Sequence, residues 1–162
     1  MFTNVSIKNF KSIRGLEFAP KRVNVFIGEP NAGKSNLLEA LAMFSQNNSV
    51  LKDFLRFKSV GDLFFDRDLS ETISVSVDGW NWILKFDASG YEGQFVNGPR
   101  NIVQFRLAHD GGWTGSWASE LPARYYAYKS LPGFNTASIS YLQPPHGTNL
   151  VSLLTTNKRL RT

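Results

Sequence analysis

The stretch VNVFIGEPNAGKSNLLEALAMF, residues 23–44, decides how this chain is expected to fold. Residues 23–27 are nearly all apolar, which is typical of a strand that is covered on both faces. Gly28 ends that strand. Leucines then recur at helical spacing among good helix formers, which predicts a helix over residues 36–44. The stretch therefore predicts a buried strand, a loop bounded by glycines, and a helix in immediate succession.

The loop GEPNAGKS, residues 28–35, satisfies the pattern G-x-x-x-x-G-K-[ST] of a P-loop, in which consecutive backbone N–H groups surround phosphates. Its two glycines permit the backbone conformations that such a cradle needs. Lys34 is expected to bind the β- and γ-phosphates and Ser35 to bind Mg²⁺, while the helix directs its positive end at the phosphates. The residues predicted to bind ATP with Mg²⁺ are Gly28, Glu29, Pro30, Asn31, Ala32, Gly33, Lys34, Ser35 and Asn36.

Residues 3–44, including VSIKNFKSIRGLEF before the P-loop, resemble the start of ABC-type ATPases of the SMC/RecF group. They look most like OLD-type ATPases, in which Asn commonly occupies the position of Asn31, although Pro30 replaces a usual Asn. The resemblance implies a P-loop NTPase of α/β class with α+β character, in which a short antiparallel subdomain follows the first helix. It also implies ATP-dependent dimerisation of two ATPase heads and work on DNA, in repair or in defence against foreign DNA. In such proteins the loop that holds Lys11, Ser12 and Arg14 comes near the nucleotide.

A weaker resemblance covers YLQPPHGTNLVSLL, residues 141–154. Here Gln143 is a candidate for the glutamine that contacts Mg²⁺ or the attacking water, although a polar residue in a proline-rich turn is the preferred interpretation. No Walker B strand followed by two acidic residues is found, nor an LSGGQ-like signature, so no catalytic residue is evident. We therefore expect the 162 residues to be the amino-terminal lobe of a longer ATPase, inactive in hydrolysis by itself.

Much of the remaining chain alternates with the period of a strand. Two strands are predicted over residues 3–20, with a break at Gly15. Residues 72–108 predict an antiparallel meander, because Asp78-Gly79 between two alternating runs is a strong signal for a two-residue hairpin turn. That turn would place the apolar residues of both strands on one face. The cross-strand pairs predicted there are Val77 with Trp80 and Val75 with Trp82.

These elements are expected to form one domain with four parts. Residues 1–48 hold the first strands, the P-loop and the first helix. Residues 49–70 hold a short helix, predicted over residues 50–58, and a loop. Residues 71–130 hold the meander, with a further strand over residues 124–129, and residues 131–162 hold a loop and the start of another helix.

Composition narrows the class of protein. There is no cysteine and there are two histidines, which argues against disulfides and histidine-rich metal sites. No signal peptide or membrane span is evident, so we expect a soluble, cytoplasmic protein. The net charge of +5 is spread along the chain and is more typical of a solvated surface than of a nucleic-acid site. Trp80 and Trp82 are expected to pack in the core or at an interface rather than stack on bases, and both histidines to lie at the surface.

Two other classes of function remain open at this stage. A small-molecule kinase could use the same P-loop, but no arginine-rich lid is evident and such kinases usually begin with the P-loop strand. A non-hydrolysing module could bind the nucleotide as a structural ligand or a switch for a partner. The absence of a Walker B pattern favours the module if 162 residues are the whole natural chain.

Overall fold

Seven antiparallel strands form the main layer of the structure, a computed structural model that describes residues 2–45 and 51–115. Their order across the sheet is β2-β1-β3-β4-β5-β6-β7. The strands are β1 (Val5–Phe10), β2 (Ile13–Phe18), β3 (Ile73–Val77), β4 (Trp80–Asp87), β5 (Gly90–Asn97), β6 (Arg100–Leu107) and β7 (Trp113–Gly115). Strands β3 to β7 follow one another as a meander, whereas β1 pairs with β3 across the intervening helix and loops.

The hairpin between β3 and β4 has the predicted turn and register. Asp78 and Gly79 have φ values of 47° and 87°, the left-handed conformations that a two-residue turn of this type requires. Val77 pairs with Trp80, and Val75 pairs with Trp82. Val75, Val77 and Trp82 are buried on the shared face as predicted, whereas Trp80 is only half-buried and Phe86, at the other end of β4, is 43% exposed.

Alternation along the strands gives the sheet one apolar face and one polar face. Ile73, Val75 and Val77 of β3 are fully buried, while Ser74 and Ser76 between them are only partly covered. The same apolar face continues through Ile7 of β1 and Trp82 of β4 into β5 and β6. A single core therefore lies on one side of the sheet, as an antiparallel sheet with one solvated face requires.

One α-helix and several short turns cover this apolar face. Helix α1 (Lys34–Ala42) continues into a 3-10 turn at Met43–Ser45, close to the predicted helix, and Leu37, Ala40 and Phe44 are buried against the sheet. The chain returns to the same core after residue 50, where Leu51 is buried. The other residues that complete this cover are Ala42, Met43, Phe54, Leu55, Val60, Leu63 and Phe64.

The prediction of a helix over residues 50–58 is wrong, because the described residues there form only a 3-10 turn. A 3-10 turn covers Leu51–Asp53, and the N–H of Leu55 still bonds to the carbonyl of Leu51 at 2.8 Å. The next N–H, that of Arg56, donates to the Glu39 carboxylate instead of to a helical carbonyl, at 3.3 Å. The side chain of another element thus takes the bond that would have continued the helix.

Two further expectations need correction. Gly15 does not break the first run, because it lies inside β2 and pairs with Lys8. The break falls at Lys11, whose φ is 50°. Residues 23–27, predicted as a buried strand, form no ladder with any described residue, and the exposed fractions of Val23, Val25 and Ile27 are 76%, 75% and 90%. An apolar run predicts that a segment will be buried, but it does not show that other strands are present to pair with it.

The strand predicted at residues 124–129 and the helix predicted after residue 148 lie outside the described residues.

Gly93 offers a test of packing in the meander. It lies opposite Phe105, and a Cβ added at Gly93 would lie 2.0 Å from that aromatic ring. The ring has little room to move, because it stacks on Trp113 with centroids 3.8 Å apart. Gly93→Ala is therefore expected to lower the free energy of unfolding by about 1–3 kcal/mol, measured by urea denaturation.

The matched control is Gly15→Ala, since a Cβ at Gly15 has no heavy atom within 4 Å and the backbone there is not left-handed. Its unfolding free energy should stay within about 0.5 kcal/mol of wild type. Equal stability of the two variants would show that the Gly93–Phe105 packing is misplaced.

Asp78 offers a test by pH. Its carboxylate accepts hydrogen bonds from the hydroxyl and N–H of Thr3 and from the N–H of Asn4, and these bonds, the Thr3 hydroxyl first, hold its pKa below the ordinary value. A lowered pKa contributes stability above the unfolded value of about 3.9, and this contribution is lost as pH falls through the folded value. Asp78→Asn, which tolerates the same turn, should therefore lower the urea midpoint at pH 7. The deficit should shrink below about pH 4, whereas a deficit that is independent of pH would contradict this assignment.

Candidate functional site

The candidate functional site is the loop at residues 28–33 together with the first turn of α1. Gly33 has a φ of 84° and Asn31 a φ of 63°, left-handed values that glycine adopts freely and asparagine tolerates better than most residues. Gly28 lies outside that region, and a Cβ there would make an ordinary contact of 3.5 Å with Ala32. The special backbone conformation predicted for both glycines is therefore present at Gly33 and at Asn31, but not at Gly28.

Lys34 directs its ammonium group back across the loop. Its Nζ donates to the carbonyl oxygens of Gly28 at 2.7 Å and Glu29 at 2.6 Å. Both partners are uncharged, so these bonds orient the ammonium without neutralising it. An ammonium has three donors, which leaves one for an anionic ligand before either carbonyl bond is broken.

The amino terminus of α1 has unsatisfied donors directed toward the same loop. Gly33 is the N-cap residue and provides no side chain, and the first turn contains no acidic residue. The first N–H groups of a helix have no partner within the helix and carry its positive end. The Ser35 side chain is exposed in this turn, where its hydroxyl is available to a metal ion. Together these groups suit a phosphate chain with a bound divalent cation.

The turn between β1 and β2 lies directly against this end of the helix. Ser12 Oγ accepts a hydrogen bond of 2.8 Å from the side-chain amide of Asn36, and it would lie 2.9 Å from a Cβ at Gly33. Gly33 is thus fixed by two constraints, its left-handed φ and the close approach of Ser12. The other loop residues implied by the family resemblance behave differently, since Arg14 is exposed in β2 and Lys11 is directed toward Glu39.

Glu39 is the only charged residue buried among the described residues, with 3% of its surface exposed. Its carboxylate pairs with the ammonium of Lys11 and with Nε of Arg56, the latter at 2.6 Å. The Lys11 ammonium also donates to the carbonyl of Arg56 at 2.7 Å. Lys11 is nearly buried in this arrangement, whereas most of the Arg56 side chain is in solvent. We call these three residues the Glu39 cluster.

A shallow cleft of about 450 Å³ opens beside the cluster. Asp62 on its wall forms an ion pair of 2.9 Å with Arg67. The pKa of Asp62 is lowered, first by hydrogen bonds from the backbone N–H groups of Ser59 and Lys58 and then by Arg67. Asp66 and Arg67 both have left-handed φ, which is costly for residues other than glycine. The residues that line the cleft are Lys11, Asn36, Arg56, Asp62, Phe64, Asp66 and Arg67.

The structure brings the predicted loop residues 28–36 together at the amino end of α1, with Gly33, Lys34 and Asn36 half-buried and the others exposed. Gln143 lies outside the described residues. In the described ranges no group of three or more acidic, histidine or cysteine residues could hold a metal ion. Trp82 is buried in the core and His109 is exposed, as predicted. Residues 2–45 and 51–115 contain no helix long and apolar enough to cross a membrane.

Sequence reasoning missed Glu39 and Arg56. A signal for Glu39 was present, because it is the one charged residue in the apolar run LLEALAMF, and it lies three residues after Asn36 on the same helical face. Arg56 had no such signal, since it was assigned to a helix that does not form.

Comparison with known proteins shows the family of the chain. Residues 1–94, more than half of the chain, match the AAA ATPase domain family, whose members are P-loop NTPases that bind ATP. The chain belongs to the AAA ATPase domain family. It is also 29% identical over 136 residues to an uncharacterized protein of Methanocaldococcus jannaschii, an alignment that covers 75% of this chain. The chain spans 60% of the length of that relative.

Proposed function

We propose that residues 28–36 bind ATP with Mg²⁺. The observation that carries this proposal is made at the start of α1. There, helix N–H groups without a side-chain cap face the same loop as the Lys34 ammonium, which pairs with no carboxylate of residues 2–45 and 51–115. Anions bind favourably at such helix ends. The motif at residues 28–35 and membership of the AAA ATPase domain family support the same ligand.

Each residue has a separate part in this proposal. The backbone N–H groups of residues 33–36 would donate to phosphate oxygens, and Lys34 would neutralise part of the triphosphate charge. The Ser35 hydroxyl would bind Mg²⁺, which draws electron density from the phosphate oxygens that it contacts. The left-handed backbone at Asn31 and Gly33 would keep the loop open toward these oxygens.

We further propose that the chain acts as the amino-terminal part of an SMC/RecF/OLD-like ATPase. The similarity of residues 3–44 to that group supports this assignment, and so does the antiparallel subdomain that follows α1. Two such ATPase heads would dimerise around ATP, and the complete protein would act on DNA, in repair or in defence. Hydrolysis would need acidic residues of the Walker B type and a signature motif, neither of which occurs in these 162 residues.

The role of Lys34 can be tested by binding. Lys34→Ala removes the one side-chain cation of the loop, so the affinity for ATP·Mg²⁺ should fall by about tenfold or more in isothermal titration. Lys21→Ala is the control, because it removes an exposed lysine that lies outside the loop. Equal affinity of wild type and Lys34→Ala would exclude this loop as the binding site.

Ser35→Ala separates the metal from the phosphates in the same titration. Since the Ser35 hydroxyl is proposed to act through Mg²⁺, its loss should weaken ATP binding when Mg²⁺ is present. The difference from wild type should become small when EDTA is added to both proteins. A loss that persists in EDTA would assign the hydroxyl to the phosphates instead.

The 162-residue chain is expected to bind ATP but to hydrolyse it at a negligible rate. Transfer of the phosphoryl group to water needs a positioned nucleophile and neutralisation of the developing charge. No acidic pair follows an apolar strand in this sequence, and positioning and base catalysis are each worth factors of about 10² or more. Steady-state phosphate release measures this rate. Robust turnover that Lys34→Ala abolishes would show that the chain contains a complete catalytic site.

A further inference from the structure

The Glu39 cluster lies next to the candidate site, one helical turn further along α1. Glu39 lies in the second turn of α1, one helical turn after Asn36, so the two side chains share a face of the helix. That face contacts the β1–β2 turn twice, through Asn36 to Ser12 and through Glu39 to Lys11. Consecutive residues of one turn are therefore attached to consecutive turns of one helix.

Of these two contacts, the ion pair of Glu39 with Lys11 is the stronger, for electrostatic reasons. A buried carboxylate is costly unless it is paired and fully hydrogen-bonded, and removing one partner of such a pair is far more destabilising than breaking a surface pair. Glu39 and Lys11 are both nearly buried. The Ser12–Asn36 bond joins two neutral groups at an exposed position, and such bonds contribute little by themselves. The position of Ser12 over Gly33 therefore depends on the ion pair beneath it.

Two hydrogen bonds from Lys11 to backbone carbonyls complete the attachment. The N–H of Lys11 donates to the carbonyl of Leu63 at 2.8 Å, and the ammonium of Lys11 donates to the carbonyl of Arg56. The cluster thus joins α1, the β1–β2 turn and the segment after residue 50, which are distant in sequence. A substitution of Glu39 would therefore alter the packing of all three segments.

We propose that Glu39 is a positioning residue for the P-loop. It holds Lys11, and through Lys11 it keeps Ser12 against Gly33 and Asn36, so that the first turn of α1 is fixed before a ligand arrives. The inference rests on the proposed binding of ATP, but it assigns a role to a residue that does not touch the nucleotide. Pre-ordering of donors lowers the entropic cost of binding, and small misplacements of a site can reduce its performance greatly.

The experiment compares Glu39→Gln with wild type in two measurements on the 162-residue chain. Hydrogen–deuterium exchange of the amides in residues 28–36, without nucleotide, should become faster in the variant. Affinity for ATP·Mg²⁺ should fall by about fivefold or more in isothermal titration. Glu17→Gln is the matched control, because it makes the same chemical change at an exposed carboxylate of β2, and it should behave as wild type.

A double-mutant cycle distinguishes positioning from a general loss of stability. If Glu39 acts through the turn, Ser12→Ala should weaken ATP·Mg²⁺ binding in the wild type and add little in the Glu39→Gln background. Additive effects, or wild-type affinity and exchange in folded Glu39→Gln, would overturn the proposal.

A second variant covers the case in which Glu39→Gln does not fold. Lys11→Met with Glu39→Leu removes both buried charges at once, a change that is often neutral or stabilising. This variant should fold, as judged by circular dichroism, and still bind ATP·Mg²⁺ about fivefold more weakly, because an apolar contact does not fix the direction of the turn. Wild-type affinity in this variant would overturn the inference. Absence of ATP binding in the wild type would instead refute the proposed function, while the exchange measurement would still test the positioning role.

Discussion

The structure depends on the burial of one apolar face of the antiparallel sheet. Helix α1 has nine residues, which is too short for a helix to be stable by itself in water. It forms because Leu37, Ala40 and Ala42 pack on the same core as β1 and β3. The candidate site inherits this dependence, since the loop at residues 28–33 obtains its geometry from the helix that follows it. The meander, which provides most of the apolar face, is therefore part of what holds the site together.

Ion pairs differ in how much they contribute to this structure. Several ion pairs of the described sheet and loops, such as Lys85 with Glu92 and Arg106 with Glu92, lie at the surface and contribute little to stability. The pair of Lys11 with Glu39 is different because both side chains are nearly buried, and because it connects the β1–β2 turn to α1. The Lys34 ammonium bonds to uncharged carbonyls and keeps a donor for a ligand, whereas the Lys11 ammonium is paired with a carboxylate.

Features governed by neighbouring residues were predictable from the sequence. The Asp78-Gly79 turn sets both φ values and the register within a few residues. Alternation assigned the buried face of β3 correctly, but on β4 it holds for Trp82 and Leu84 and not for the exposed Phe86. The pattern at residues 28–35 can also be read from the sequence because it is contiguous, and the nucleotide binding that it predicts stays a prediction. Features that depend on residues distant in the sequence were not predictable. The helix predicted over residues 50–58 stops where the Glu39 carboxylate takes the N–H of Arg56. Glu39 stands out as the one charged residue in an apolar run, but the sequence around Arg56 does not indicate their contact.

Residues 23–27 show the same limit most clearly. Their apolar pattern predicts cover on both faces, yet Val23, Val25 and Ile27 are largely exposed. Phe26 is better covered, and its ring packs against that of Phe18 in a T-shaped arrangement with centroids 5.9 Å apart. A strand is defined by its neighbours, and none of the described residues pairs with this segment. In the described part of the chain, strand pairing therefore does not fix residues 23–27, which precede the loop. The loop is held from its helix side, where Ser12 meets Gly33 and the buried pair of Lys11 and Glu39 lies beneath them.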